Sequence, residues 1–306
     1  MNEMHLDRHT LAEIIADRLL GRREKLQRQW RRDRIANLQI DGVLPESTAH
    51  ALYEAFPKRM LARRGLGELR YVSERMDQCA AQLREAVYAF RDPRVVEAVA
   101  TLTQVSGLVA ESRVGTSGIS RMDRGHFLNP HVDRAHDMGQ VNQQVLSLLY
   151  YVTPDLRLVD GGHLELWHDG PEAEATTILS KFNRLVIMAT HGTAWHSVSP
   201  VRSNRQRCCL WTYYYAPYSV QPQNDNHVPV FRGRPDQRLR DLVLRADSFA
   251  RQSLYKSLHR LMLDHGVAVP RPVSKVHVDP TPGFPEGPAF EEAVHRGPSS
   301  DQDRPS

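Results

Sequence analysis

A metal-dependent reaction needs imidazole and carboxylate groups that converge, and this 306-residue chain offers one such pair at a telling spacing: His131 and Asp133, in the run HVD. Residues two apart in an extended strand point to the same side. A neutral imidazole and a carboxylate can therefore aim at one point. A third ligand must come from elsewhere, and the best candidate is His196, in WHSVSPV, 63 positions after Asp133. Two histidines and one carboxylate on one face of an octahedral ion form the facial triad of non-haem iron(II) oxygenases, with the opposite face open. HxD alone is a weak signal in a chain with 15 histidines. His126, His136, His163, His168 and His191 read as surface or hydrogen-bonded histidines.

The signal gains strength from Arg207, 11 residues after His196 in RCCLWTYYY. A dicarboxylate cosubstrate that chelates iron through a keto acid end leaves a distal carboxylate in need of a cation at fixed distance. A guanidinium fork suits that task and cannot lose its charge. Alternation along 207–215 puts Cys209, Trp211, Tyr213 and Tyr215 on the side of Arg207. Cys209 and Trp211 are thus candidates to line the cosubstrate or substrate pocket. Plain core is an equal alternative for Trp211, because such pockets are themselves largely apolar and aromatic. Ser147 and Tyr151 share one face of 145–152, whose direction is left open. Arg121 and Arg202 could meet an acidic group on a substrate, against the competing reading of an exposed structural role; Arg202 and Arg205 lie near a turn.

The elements that must carry these residues divide the chain into four regions. Residues 1–105 read as a helical region packing on the core: LAEIIADRLL, PESTAHALYEAF and DPRVVEAVATLTQV place apolar residues at helical spacing. Pro45 and Pro57 bracket the second, and Pro93 sits in the first turn of the third. Residues 106–220 carry short β-rich runs separated by turn residues: GISRM, VLSLLYYV, GHLELW, TTILS, RLVIMAT, HSVSPV and RCCLWTYYYA. That pattern predicts an antiparallel sandwich, barrel or jelly roll. Residues 221–266 form a C-terminal helical extension, with an apolar stripe over 233–265 and Gly266 as its C-terminal cap. Residues 267–306 hold eight of the 19 prolines and read mostly as a flexible tail that cannot offset its ordering entropy.

Taken together, GHFLNPHVDRAHD, LSLLYYVTPD, DGGHLELW, FNRLVIMATHGTAWHSVSPV and RCCLWTYYYA resemble the 2-oxoglutarate/iron(II) dioxygenases of the prolyl-4-hydroxylase-like type over roughly 117–216. The resemblance implies an α+β chain with a double-stranded β-helix (jelly roll) core. It implies Fe(II) held by His131, Asp133 and His196, 2-oxoglutarate bound at Arg207, and O2 as oxidant. Succinate and carbon dioxide would be released as an aliphatic carbon is hydroxylated. Three positions depart from the family. Met122 stands where a Tyr is common, Cys209 where a Ser often follows the cosubstrate Arg, and His163 where a polar amide or acid is usual. A thiol is a weak partner for a carboxylate. Asp133 is present, whereas related halogenases carry Gly or Ala there, so oxygenation is expected over halogenation. The segment organisation resembles bacterial members acting on free or N-acylated amino acids and similar metabolites.

Composition narrows the classes. The balance of 41% hydrophobic and 25% charged residues is that of a globular domain, and no apolar run is long enough to cross a bilayer. The charged start MNEMHLDRHTLAEI lacks the apolar stretch of a signal peptide, so a cytoplasmic location is expected. Cys79, Cys208 and Cys209 make neither a disulfide framework nor a CxxC zinc site. The net charge of +4 is concentrated in the Arg-rich stretch 22–34, which reads as a solvated helix face more readily than as a nucleic-acid or membrane contact. The expected partner is a small-molecule substrate, with no nucleic acid and no membrane. The long N-terminal region could supply a lid or a homodimer contact. Competing functions are a peptide hydroxylase of the same chemistry, a non-catalytic metal-binding jelly roll, and a zinc hydrolase using the same ligands.

Overall fold

Strands buried on nearly all positions along the middle of the chain, and helices with one apolar face before it, set an antiparallel sheet against a layer of helices. The computed structural model describes residues 7–30, 33–110, 115–134, 142–220 and 229–264. The first 105 residues supply α1 (Arg8–Leu20), α2 (Arg23–Trp30), β1 (Asn37–Asp41), α3 (Glu46–Glu54), β2 (Leu61–Arg64), β3 (Glu68–Ser73), α4 (Ala81–Ala89) and α5 (Pro93–Thr103). There follow β4 (Ser117–Met122), β5 (Phe127–Val132), β6 (Gln143–Tyr151), β7 (Leu164–Leu166), β8 (Thr176–Ile178), β9 (Arg184–Ala189), β10 (His196–Val198) and β11 (Arg207–Ala216). The chain continues through β12 (Val230–Phe231) and α6 (Arg238–Asp264).

The strands form one curled antiparallel sheet in the order β1-β9-β6-β11-β4-β3-β5-β10-β7-β8, with β12 added to β5 and β2 to β3. This is the jelly-roll core expected from the sequence. One face of β11, β6 and β9 presents Cys208, Leu210, Tyr214, Leu148, Tyr150, Leu185 and Ile187. It packs on the apolar stripes of α1, α4 and α5, which include Ile15, Leu19, Leu83, Val87, Val99 and Leu102. The other face carries Cys209, Tyr151, Val186 and Met188 into a second cluster with Leu164, Leu166 and Ile178. The inside of the curl is therefore lined by the residues alternating with the helix-facing set.

Local chemistry explains the helix ends. The Asp7 carboxylate accepts from the backbone N–H groups of His9 and Thr10 at the start of α1. Asp92 caps α5 by accepting from the Arg94 N–H, and Pro93 occupies the first helical position, where its missing N–H costs nothing.

The first 105 residues are not wholly helical, contrary to the expectation from their periodicity: β1, β2 and β3 lie within them. β1 (NLQID) alternates polar and apolar residues but over only five positions, and β3 (ELRYVS) is half-buried along most of its length without clean alternation. Their pairing partners come from far along the chain. β1 runs against β9, and β3 bridges β4 and β5. Gly266, His136 and the tail 267–306 lie outside the described residues. No described helix is long and apolar enough to cross a membrane.

Candidate metal centre

The sheet ladder brings the proposed ligands together. His196 is the direct register partner of His131 across β10 and β5, and the two imidazole centroids are 4.1 Å apart. Asp133 follows the end of β5. Its Oδ1 lies 3.6 Å from His131 Nε2 and its Oδ2 3.7 Å from His196 Nε2. One donor atom from each of the three falls within 4.8 Å of the others, the one such cluster among the described residues.

The outer nitrogens fix the tautomers. His131 Nδ1 is 3.0 Å from the Asn129 carbonyl, and His196 Nδ1 is 3.0 Å from the Ala194 carbonyl. A carbonyl only accepts, so each Nδ1 carries the hydrogen and each Nε2 presents a lone pair to the common point. Burial, with His131 beside it, pushes the His196 imidazole down to about 4, so it is neutral near pH 7. Burial alone would raise the Asp133 carboxyl, but His196 and His131 outweigh it and hold the group well below its ordinary value. Two imidazoles and a carboxylate are the donor set that iron(II) takes on one face. Gln144 Nε2 donates to Asp133 Oδ2 at 3.0 Å, which orients the carboxylate, and the Gln144 backbone carbonyl separately accepts from Thr190 Oγ1 at 3.0 Å.

Arg207 starts β11 and is 4% exposed. Its Nε donates to the Gly162 carbonyl at 3.1 Å, and its guanidinium carbon lies 5.0 Å from the Tyr151 ring centre. Gly162 has φ +75°, and a Cβ there would come within 3.2 Å of the Arg207 stem, so glycine permits the close approach. The direction left open for Tyr151 is settled: it lies inside the curl, with Cys209 in the same cluster. Its hydroxyl, near Ser180 and Arg207, closes no good hydrogen bond with the protein, and neither do Ser120 Oγ and Trp211 Nε1. Ser120 is the register partner of Cys209, and Gly118 of Trp211. The unpaired buried Tyr151 hydroxyl beside a buried guanidinium fits a polar anionic ligand, since leaving it bare costs free energy. Burial pushes the Tyr151 phenol up to about 12, with Arg207 pulling the other way, so it stays a neutral donor.

Other sequence candidates sit elsewhere. Arg121 is buried but pairs in register with Cys208, on the opposite face from Arg207. It donates to the Pro57 and Lys58 carbonyls, pairs with Asp123 and stacks over Tyr71, so its role is structural. Arg202 and Arg205 are exposed. His163 is buried, its Nε2 facing the Arg157 carbonyl and its Nδ1 accepting from the Ser180 N–H. Cys209 Sγ points to the Leu210 carbonyl, and Trp211 lies beside Tyr213 at a centroid distance of 5.0 Å. Sequence reasoning missed Gln144 and left Tyr151 undecided. Both fall on β6, where every position but one is buried and alternation therefore says little.

His131 and Asp133 open into a cavity of about 530 Å³, lined among others by Arg63, Glu68, Arg70, Tyr213 and Phe231. Arg70 pairs with Glu68 and Arg63 with Glu74, each at 2.8 Å.

Residues 117–215 match the 2OG-Fe(II) oxygenase superfamily. No curated protein matches the chain. Among solved structures, a Pseudomonas putida prolyl-4-hydroxylase is 17% identical, covering 65% of this chain and 98% of its own, with a TM-score of 0.45. HygX from Streptomyces hygroscopicus, with nickel and 2-oxoglutarate bound, is 11% identical over 59% of this chain and 82% of its own, with a TM-score of 0.42. A Trichoplax adhaerens prolyl hydroxylase in complex with a hypoxia inducible factor peptide fragment is 18% identical over 64% and 91%, with a TM-score of 0.41.

Proposed function

We propose that this chain, a member of the 2OG-Fe(II) oxygenase superfamily through residues 117–215, hydroxylates an aliphatic carbon of a small metabolite such as a free or N-acylated amino acid. The chain is a 2-oxoglutarate-dependent Fe(II) oxygenase. Bound iron(II) and 2-oxoglutarate supply the oxygen activation, and the protein supplies position, electrostatics and exclusion of water.

His131, Asp133 and His196 hold the iron. Arg207 would hold the distal carboxylate of 2-oxoglutarate, with the Tyr151 hydroxyl as a second donor. Tyr151 thereby offers a hydroxyl that neither Met122 nor Cys209 can provide. Cys209 and Trp211 wall the cosubstrate side, and Gln144 fixes the ligating carboxylate. The observation that carries the reading is Arg207, buried and stacked on Tyr151 inside the same curl as a carboxylate–imidazole triad.

The small-molecule assignment rests on the cavity of about 530 Å³, within the range of small-ligand pockets, and on the compensated ion pairs of its walls. A peptide substrate is the second reading. It is favoured by β2, whose four residues are all exposed and whose only strand partner among the described residues is β3; such an edge can accept an extended peptide.

The test is an anaerobic titration of the apoprotein with iron(II) and then 2-oxoglutarate, watching for the visible charge-transfer band of the chelate. A band that disappears in Asp133→Ala supports the site. Iron binding without a band counts against the cosubstrate assignment. Succinate release driven by amino acid pools, and not by peptides, supports the metabolite reading; the reverse supports the peptide.

A further inference from the structure

The chain beyond the matched residues returns to the metal centre. β12 pairs with the end of β5, so Phe231 stands opposite His131 in register. Its ring lies nearly parallel to the imidazole, with centroids 5.1 Å apart and planes 12° apart. On its other contacts the ring meets Gly67, between β2 and β3, where a Cβ would fall 2.4 Å from the Phe231 ring. It also packs against Met122, Leu128, Val198 and Val201.

The strap that delivers Phe231 is heavily tied. The Arg232 N–H donates to the Pro130 carbonyl at 2.8 Å. The Arg232 guanidinium grips Asp241 of α6 through two nitrogens, at 2.7 and 3.0 Å, and Glu172 at 2.7 Å. The Gly233 N–H donates to the same Asp241 at 2.7 Å. Asn129, whose carbonyl takes the His131 Nδ1 hydrogen, also donates its side-chain N–H to the Arg232 carbonyl at 3.2 Å and to Gln237 at 2.9 Å. One residue thus orients the ligand and clasps the strap.

We propose that Phe231 is a positioning residue of the metal centre: its ring braces the His131 imidazole, so the iron site is completed by the strap formed by β12 and α6, outside the matched segment. The inference rests on the reading of His131 as an iron ligand. Groups behind a ligating histidine govern metal affinity because they set the ring's orientation. A planar neighbour at stacking distance restricts rotation about the side-chain bonds, which the single Nδ1 hydrogen bond does not do alone. Gly67 is part of the same device, since a side chain there would occupy the space the ring fills.

The test uses the full chain and cobalt(II), an air-stable probe of the same ligand set. Titrations followed by visible absorption compare wild type with Phe231→Ala, Phe231→Leu, Phe231→Tyr and Gly67→Val. Thermal unfolding of each apoprotein identifies the folded variants. The expected result is about a tenfold or greater loss of cobalt affinity, with an altered absorption envelope, in Phe231→Ala, Phe231→Leu and Gly67→Val. Phe231→Tyr, which keeps the ring, is expected to stay near wild type. Should Phe231→Ala fail to fold, Phe231→Leu decides, because it keeps apolar bulk without a flat face. Wild-type affinity and spectrum in a folded Phe231→Leu or Phe231→Ala variant would overturn the proposal. No cobalt binding by the wild type would overturn the metal-site reading and the brace with it, an outcome distinct from a difference, or none, between wild type and variants.

Discussion

At the scale of single residues, the centre separates groups that bind from groups that orient. His131→Ala, Asp133→Ala and His196→Ala each remove a proposed donor, and each is expected to abolish iron-dependent turnover, measured as succinate release. Arg207→Ala removes a charge-assisted contact worth about 2–3 kcal/mol, so KM for 2-oxoglutarate is expected to rise by roughly 30–150-fold with a smaller change in kcat. Tyr151→Phe removes a neutral donor and is expected to raise the same KM by about 3–10-fold. Unchanged cosubstrate dependence in Arg207→Ala would sink the assignment of that residue.

At the scale of elements, the pairing of β1 with β9 carries an ion-pair cluster that can be titrated. Asp41 is the register partner of Arg184 and accepts from its Nε and Nη2, and from Lys181 Nζ. The Arg184 contact is the main cause that brings the Asp41 carboxyl down to about 2, with burial opposing it. A depressed carboxyl stabilises the fold fully above its unfolded value near 4, and that contribution is lost as the pH falls towards 2. The Asp41 side chain is 40% exposed, so solvent screening limits the effect to about 1 kcal/mol. Asp41→Asn is therefore expected to be less stable than wild type at pH 7, with the difference closing between pH 4 and pH 2 in denaturant titrations. A pH-independent difference would assign the loss to packing instead.

At the scale of the whole molecule, the segment 117–215 is not a self-sufficient sheet. It lacks β1 at one edge and β3 between β4 and β5, and the apolar face of β11 and β6 would lose the helices that cover it. A polypeptide limited to 117–215 is expected to show no cooperative thermal transition, whereas the full chain shows one; a cooperative melt of the short piece would refute this. Within the helix layer, Leu83→Ala removes a fully buried side chain and is expected to cost about 2–5 kcal/mol in denaturant unfolding.

What the sequence offered by itself was a candidate ligand set, a candidate cosubstrate cation and the β-rich, jelly-roll character of the core. His131, Asp133, His196 and Arg207 could be singled out because their types, their spacing and the family resemblance suggest a ligand set and a cation, and the structure brings the first three together. The helices α1, α3 and α5 were readable from local periodicity, and Pro93 from the demands of a helix start. Only the tertiary structure decided the rest. β1 and β3 are stabilised by partners more than forty residues away, so their own composition does not declare them. Tyr151 and Gln144 lie on a strand buried on both faces, where alternation no longer distinguishes inside from outside. Phe231 is separated from His131 by 100 positions, and it is the β12–β5 ladder that sets its ring on the imidazole. Such pairings are fixed by the packing of the whole sheet, which a one-dimensional pattern does not contain.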